Sequence, residues 1–402
     1  MLFSFPLEFY FFAIILILVT IFQNQLLRIA IGGLVVVTLY KIFFSGFHQG
    51  TGFNGFVQHS IHEWVNIANL LMLLVGFELL ADHFSKSNIT NRISKILPEG
   101  WLGAFVLLAF VFFISSFLDN IAAAIIGATI ASNLFNKKVH IGYLASIVAA
   151  SNAGGSGSVV GDTTTTMMWL AGISPLQVVH AYTAAIVALF VSGYFASRQQ
   201  HNYQPIIRAK ILGAKIDWSR IFIVFLILVT AVTVNIVINL KFTEISNDFP
   251  FIGFSIWVVL LLMIPLRTPN WTLVPESFKG SIFLLALIFT ASMMPIEKLP
   301  LPSPQSTFGV GFLSAVINNI PLTELGIKQG NYDWGLLAYA IGYGGSMIWF
   351  GSSAGVAAAN LFPEARSTTR WIKEGWHVTL AYIIGFLFFM LILGWHPTAI
   401  SK

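Results

Sequence analysis

Cysteine is absent from this 402-residue chain, and charged residues are few. Without cysteine the chain cannot form disulfides, and it cannot hold a metal or redox centre through thiolates. Only 9% of the residues are charged, whereas soluble domains carry about 25%. Hydrophobic residues make up 56% of the chain, with 37 Phe among them. This composition excludes an ordinary soluble domain and predicts an all-α polytopic membrane protein.

Apolar runs near the length that spans a bilayer, about 20 residues, recur along the chain. We expect ten crossing segments: 6–22, 26–44, 64–80, 139–173, 177–196, 219–240, 250–266, 279–295, 333–361 and 375–394. The first run has no basic residues before it and no small-residue cleavage site, so we expect a true span rather than a signal peptide. Segments 139–173 and 333–361 are interrupted by polar residues, which predicts broken helices.

Two further segments, 101–135 and 303–328, each consist of two short apolar arms around a polar tip. We expect each of them to form a re-entrant helical hairpin that does not cross the membrane. Each half of the chain then holds three spans, a hairpin, a broken span and a final span.

The two halves also share a motif. Gly154-Gly155-Ser156, followed by Gly161, recurs 190 residues later as Gly344-Gly345-Ser346, followed by Gly351. Because each half crosses five times, an odd number, the second half must be inverted relative to the first. Inverted repeats with paired broken helices are typical of transporters with a site near the bilayer midplane. The predicted organisation is a first repeat, a cytoplasmic linker and a second repeat, at 1–196, 197–218 and 219–402.

The basic residues give an orientation. Cytoplasmic loops carry an excess of Lys and Arg, and an outside N-terminus places most of the 21 basic residues inside. The inside set is Arg28, Lys86, Arg92, Lys95, Lys137, Lys138, Arg198, Arg208, Lys210, Lys215, Arg220, Arg267, Lys279, Arg366, Arg370 and Lys373. Both termini are therefore expected outside.

The stretch 151–166 is rich in Gly, Ser and Thr and lies between two apolar runs. Non-helical backbone at that depth must line a protein-enclosed cavity, because hydrocarbon offers no hydrogen-bond partners. Three carboxylates, Glu78, Asp119 and Asp162, lie in the predicted membrane region. Such a charge costs at least about 2.5–3.5 kcal/mol on insertion scales, so each is a candidate functional residue.

Hard cations such as Na⁺ prefer oxygen ligands. We predict a Na⁺ site at Asp119 and Asp162, with neutral ligands from both halves and no other cofactor. The predicted neutral ligands are Asn120, Asn152, Ser158, Thr163, Thr164, Asn318, Asn319, Ser346 and Ser352. A carboxylate shielded from water can hold either a proton or a cation, which is the minimum chemistry of an antiporter.

Each candidate also has a structural interpretation. Asp162 could cap the helix that starts at Thr163, since Asp is a favoured N-cap residue. Glu78 could be an interfacial residue, and Asn318 and Asn319 could satisfy backbone in a turn. We expect His48, His59, His62 and Glu63 to lie in a solvated outside loop, because they show no tight metal-ligand spacing.

These residues carry a resemblance to a known family. Asn152-Ala153-Gly154-Gly155 through Gly161-Asp162-Thr163-Thr164-Thr165, then Met168-Trp169, resembles the NhaD-type sodium/proton antiporters of the ion transporter superfamily. So do Asp119-Asn120 on the first hairpin tip, Gly344-Gly345-Ser346 through Gly351–Val356, and the stretch from Trp371 to Gly385. The resemblance covers most of the chain from about residue 64.

The resemblance implies an inverted-repeat fold, a homodimer and an elevator-like movement of hairpins and broken helices. It implies a bacterial inner (plasma) membrane protein whose partners are the lipid bilayer, Na⁺ and H⁺, with no nucleic acid. The chain departs from the family pattern at the second tip. Asn318-Asn319-Ile320-Pro321 stands there, where the family is expected to carry an Asp-Asn pair.

Three transport functions remain in view. The first is a secondary transporter that exchanges Na⁺ or Li⁺ for H⁺ by alternating access. The second is a Na⁺- or H⁺-coupled symporter of a small anion such as a dicarboxylate, against which stands the absence of an intramembrane Arg or Lys. The third is an arsenite-type permease. An enzyme is not expected, because no HExxH motif occurs and transport explains the repeat better.

Overall fold

The computed structural model describes residues 6–22, 25–89, 97–207, 215–242, 245, 248–295, 301–317 and 319–400. These residues are mainly helical, and their β-type pairings are the isolated bridges Phe47–Gly50 and Tyr332–Thr398. The prediction of an all-α fold is confirmed at this level, and the chain is an integral polytopic membrane protein.

Apart from α3, the long helices of the first half lie on the predicted segments. They are α1 (Leu7–Ile21), α2 (Leu26–Tyr40, continued by a π-helical turn Lys41–Ser45), α3 (Gly52–Lys86), α4 (Trp101–Ser115), α5 (Asn120–Leu134), α6 (Ile141–Ser156), α7 (Thr163–Leu170), α8 (Pro175–Val179) and α9 (Ala181–Tyr203).

The second half repeats much of this order. Its helices are α10 (Trp218–Lys241), α11 (Phe251–Leu262), α12 (Val274–Ser292, preceded by a 3₁₀ turn Trp271–Leu273), α13 (Pro304–Val316), α14 (Asn319–Gln329), α15 (Trp334–Gly344), α16 (Ser353–Leu361), α17 (Thr368–Glu374) and α18 (Trp376–Ile392). A 3₁₀ turn, Pro363–Arg366, lies between α16 and α17.

Within the described ranges, four helical stretches are long and apolar enough to cross a bilayer. They are Leu26–Ser45, Gly52–Lys86, Pro175–Tyr203 and Trp271–Ser292. A fifth is the pair α17 and α18, bent by 59°, if it is counted as one span. Shorter apolar helices cover other predicted segments, among them α1, α4, α5 and α11. Ten crossings remain a prediction.

Helix α3 corrects one expectation. It starts at Gly52, not near residue 64, so His59, His62 and Glu63 are helical rather than part of a loop. Its 35 residues extend over about 52 Å at 1.5 Å per residue, more than the hydrocarbon core of about 30 Å. The two buried polar side chains near its start have partners: His59 Nδ1 lies 3.0 Å from Gln49 Oε1, and Glu63 Oε1 lies 2.7 Å from Lys328 Nζ.

The chain divides into two compact units, and each contains helices from both halves. The first unit comprises 1–82, 222–301 and 320–329, and the second comprises 83–221, 302–319 and 330–402. In the first unit, two hydrogen bonds between a side chain and a backbone group connect α3 and α11. Gly253 N donates to Asn69 Oδ1 (3.0 Å), and Trp257 Nε1 donates to Met72 O (3.0 Å).

The core of the second unit is built on the broken helices. Every residue of α6 and of α15 is buried. Helix α6 packs against α4, α5, α9 and α15, and α16 packs against α5. The two helix breaks therefore lie inside this unit, where their polar groups need protein partners.

Candidate functional site

Two interruptions of the helical backbone define the candidate site. Helix α6 ends at Ser156, and α7 begins at Thr163 after a short non-helical segment. Helix α15 ends at Gly344, and α16 begins at Ser353. Asp162 at the end of the first break is 2% exposed, and Ser352 at the end of the second is fully buried. Buried non-helical chain of this kind is expected to line a protein-enclosed cavity in a membrane protein.

Three helices at the site begin with a capping side chain. Asp119 Oδ2 accepts from Ile121 N (3.2 Å) at the start of α5. Asp162 Oδ1 accepts from Thr164 N (3.0 Å) at the start of α7. Ser352 Oγ, 190 residues after Asp162, accepts from Gly355 N (3.2 Å) at the start of α16. Capping uses one oxygen of the Asp162 carboxylate, Oδ1, so it leaves Oδ2 available for a second role.

Asn152 connects the hairpin tip to both breaks. Its Oδ1 accepts from Asn120 Nδ2 (3.0 Å). Its Nδ2 lies 2.9 Å from Ser346 Oγ and 3.0 Å from Ser352 Oγ. All four residues are buried. The structure thus brings together four of the predicted ligands through the amide of Asn152, whose two N–H groups both donate.

Serine hydroxyls hold the hairpin arms against the broken helices. Ser115 Oγ donates to Ser151 O (2.6 Å), and Ser158 Oγ donates to Ser116 O (2.6 Å). The second half shows the same kind of contact, since Ser314 Oγ donates to Ile341 O (2.6 Å). The hydroxyl of Ser158 therefore connects the first break to the turn between α4 and α5.

The second carboxylate oxygen of Asp162, Oδ2, is a buried polar atom without a hydrogen-bond partner among the described residues. The side chains of Asn120 and Thr164 lie near this carboxylate, and Asn120 Nδ2 donates one of its two hydrogens to Asn152 Oδ1. No donor from the described residues reaches Oδ2 in hydrogen-bond geometry, and the buried Thr164 Oγ1 also has no partner among them. A buried ionised oxygen without a donor is unfavourable unless a proton or cation compensates it.

The remaining predicted residues are placed as follows. Thr163 is the first residue of α7 and is 9% exposed. Asn319 is buried at the start of α14. Asn318 lies outside the described residues. Glu78 lies on α3 in the first unit with an exposed side chain, whereas Asp119 and Asp162 belong to the second unit.

A second polar cluster, in the first unit, was not predicted from the sequence. Lys328 Nζ lies 2.7 Å from Glu63 Oε1 and 3.7 Å from Glu324 Oε1, and it donates to Ser292 O (2.9 Å). His59 Nε2 lies 2.9 Å from Ser292 Oγ. The i, i+4 spacing of Glu324 and Lys328 was the available sequence signal, but nothing in the sequence linked that pair to Glu63.

One motif in the second break needs comment. Gly351–Gly355 reads Gly-Ser-Ser-Ala-Gly, which matches the GxSxG pattern of serine hydrolases. That pattern works on a strand-to-helix turn. Here the preceding element in the described chain is helix α15, and Ser353 opens α16. The match therefore provides no support for a hydrolase.

Comparison with known proteins gives consistent relatives. The chain is 27% identical over 319 residues to sodium/proton antiporter 1 of Arabidopsis thaliana, covering 70% of this chain and 52% of that protein. It is 26% identical to sodium/proton antiporter 2 of the same plant, covering 70% and 72%. It is 23% identical to the Na⁺/H⁺ antiporter NhaD of Vibrio cholerae over 398 residues, covering 84% and 80%.

The match to the first plant protein spans only about half of that relative's length. No family model matches the chain. The three relatives nevertheless share one description, and they confirm the resemblance that the motifs at Asp119 and at 152–169 indicate.

Proposed function

We propose that this chain, a relative of NhaD-type sodium/proton antiporters, exchanges Na⁺ or Li⁺ for H⁺ across a membrane. Asp162 and Asp119 serve as the exchange carboxylates, and each holds either a proton or the cation. Asn120, Asn152, Thr163, Thr164 and the residues of the second break supply neutral oxygen ligands. Such oxygen donors suit a hard monovalent cation.

One observation carries this proposal: Asp162 Oδ2 is buried at a helix break and has no donor from the described residues. Thr164 Oγ1 is buried nearby, without a partner of its own in the same part of the structure. A cation at this place would be coordinated by both oxygens, whereas a proton would neutralise the carboxylate alone. Competition between the two is the basis of exchange.

Alternating access completes the proposal. Corresponding residues of the two breaks are 190 positions apart. Ser115 donates to Ser151 O in the first half, as Ser314 donates to Ile341 O in the second. Both features support an inverted repeat. In such folds, access alternates through rigid-body movement around a midplane site. We further propose a homodimer in a bacterial inner membrane, with elevator-like movement of the hairpins and broken helices and with both termini outside.

Coupled transport of an anion is less well supported by the site. No Arg or Lys lies among the described residues of the two breaks and the first hairpin tip. A helix N-terminus could bind an anion, but Asp162 and Ser352 already cap the two candidates. The carboxylate of Asp162 would also repel an anion at α7.

Everted membrane vesicles with a respiration-generated pH gradient test the exchange. We expect Na⁺ or Li⁺ to collapse the gradient with the unmodified protein, and not with Asp162→Asn or Asp119→Asn. The exposed Asp248→Asn is the matched control, because it removes a carboxylate of the first unit, whereas both breaks lie in the second. It should leave exchange intact.

The absence of any response to Na⁺ and Li⁺ across about pH 5 to 9, a range wide enough to titrate a buried carboxylate, would show that the proposal is wrong. Na⁺-stimulated uptake of a labelled dicarboxylate in the same vesicles would instead favour anion symport. Retained exchange in Asp162→Asn would remove this residue from the mechanism.

A further inference from the structure

The two helix breaks have equivalent positions that carry different residues. With the 190-residue offset, Asn152 corresponds to Gly342, Ser156 to Ser346, and Asp162 to Ser352. Asn152 of the first break donates to Ser346 and Ser352 of the second. If the relation were symmetric, the residue at 342 would donate to Ser156 and Asp162. It is glycine, and it has no side chain to do so.

The geometry around Gly342 agrees with this reciprocal relation. A Cβ built on Gly342 would lie 3.3 Å from Ser156 Cβ, 3.6 Å from Asn152 O and 3.6 Å from Asp162 Oδ2. One point therefore lies within contact distance of both the backbone oxygen and the carboxylate oxygen. The missing amide explains in structural terms why Oδ2 has no donor among the described residues.

We propose that Gly342 determines which alkali cation the site accepts, by keeping open the space between Asn152 O and Asp162 Oδ2. This inference rests on the proposed Na⁺/H⁺ exchange and names a further residue of that site. A cation held there replaces the donor that an asparagine would have supplied. Its size is limited by the backbone of α15 on one side and by the two oxygens on the other.

Gly342→Ala is the direct test. The methyl group would sit at ordinary contact distance from both oxygens and slightly close to Ser156 Cβ, so the fold should adjust by a few tenths of an ångström. Na⁺ is larger than Li⁺ and needs more of this space. We expect the apparent KM for Na⁺ to rise about tenfold, the low end of what one methylene contributes to discrimination. The KM for Li⁺ should change much less.

Gly309→Ala is the matched control, since a Cβ at Gly309 in α13 would meet nothing within 4 Å. It should leave both KM values unchanged. Gly342→Asn is a second variant, in which the new amide can donate to Asp162 Oδ2 as Asn152 donates to Ser352. We expect it to abolish exchange of both ions in a protein that still folds, as a cooperative thermal transition in detergent would show.

The alternatives have distinct outcomes. If Gly342→Ala leaves both KM values unchanged, or raises them equally, Gly342 does not select the ion. If Gly342→Ala does not fold, Gly342→Ala with Ser156→Gly relieves the one tight contact, and the same selectivity shift is required of it. If the unmodified protein shows no exchange of either ion, the proposed function itself is wrong.

Discussion

Asn152 is a single buried side chain on which three others depend. Its amide accepts from Asn120 and donates to Ser346 and Ser352. Each of these groups would lose a hydrogen-bond partner if the amide were removed. A buried polar group left unsatisfied costs about 1–3 kcal/mol.

Asn152→Ala should therefore lower the free energy of unfolding by about 1–3 kcal/mol or more. The fall should appear as a reduced thermal midpoint of the purified protein in detergent. Asn133→Ala on the exposed face of α5 is the control and should behave like the parent. Equal midpoints for the two variants would mean that Asn152 is not a structural link.

At the residue scale, Asp119 and Asp162 stand out in the sequence for one reason, and the structure adds a second. Asp119 and Asp162 were selected because charge is costly in a membrane, and the structure shows that both also cap helices. The 190-residue offset aligned Gly342 with Asn152, so the signal for this position was present. Because glycine has no functional side chain, this position does not stand out in the sequence. The packing of α15 against α6 shows which residues Gly342 faces.

At the scale of elements, glycines set how closely α4 approaches α6 and how closely α13 approaches α15. A Cβ at Gly154 would collide with Phe112 O of α4, and a Cβ at Gly344 would collide with Gly311 O of α13. Because the opposing atoms are backbone, no side-chain rotation relieves either clash. The two halves show the same close contact between a glycine and an opposing backbone oxygen at equivalent positions.

Gly154→Ala and Gly344→Ala should each destabilise the protein by about 1–3 kcal/mol, the usual cost of overpacking. Expression yield and thermal midpoint in detergent measure the effect, with Gly309→Ala as the tolerated substitution. If either alanine variant has the same thermal midpoint as the control, close backbone packing does not stabilise the corresponding helix pair.

The Lys328 cluster belongs to the same scale, because it joins α3, α12 and α14 within the first unit. The side chains of Lys328 and Glu63 are 21% and 7% exposed. Removing the cation leaves two carboxylates in a poorly solvated place. Breaking a fully buried pair costs about 3–5 kcal/mol, and partial exposure should reduce this to about 1–3 kcal/mol.

Lys328→Met should therefore lower the thermal midpoint, whereas Lys279→Met, at an exposed position in the first unit, should not. Adding Glu63→Gln to Lys328→Met should recover part of the loss, because one unpaired charge is removed. A double-mutant cycle gives the coupling between the two residues. Additive effects would show that the pair contributes no interaction.

Element boundaries were predictable where hydropathy changes sharply and not where polar residues have partners. Helices α4, α5, α6 and α9 lie near their predicted positions. The predicted start of α3 was too late, because the polar residues near its true start resemble a loop until their contacts are known. The hairpin at 303–328 stays a prediction, and its arms α13 and α14 fall in different compact units.

At the scale of the whole molecule, the absence of cysteine makes orientation easy to test, because the parent chain has no thiol background. The predicted topology places His48 outside and Lys137 inside, and both are exposed. In intact cells, a membrane-impermeant maleimide should label His48→Cys but not Lys137→Cys. In everted vesicles the pattern should reverse. Labelling of Lys137→Cys in intact cells would invert the topology.

The basic residues predict that orientation from the sequence alone, because it depends on charge counts and not on packing. The compact units were not predictable in the same way. Each unit contains helices from distant parts of the chain. Hydropathy does not indicate which helices pack together.

The different caps at Asp162 and Ser352 have an electrical consequence. If Asp119 and Asp162 each release a proton for one bound Na⁺, the proposed exchange moves one net charge per cycle, and each 100 mV of membrane potential changes the driving force by about 2.3 kcal/mol. If Asp162 acts alone, the cycle is electroneutral and voltage does no work on it. A serine at position 352 adds no further titratable group at that cap. The number of acidic caps thereby limits how far the membrane voltage can drive the cycle.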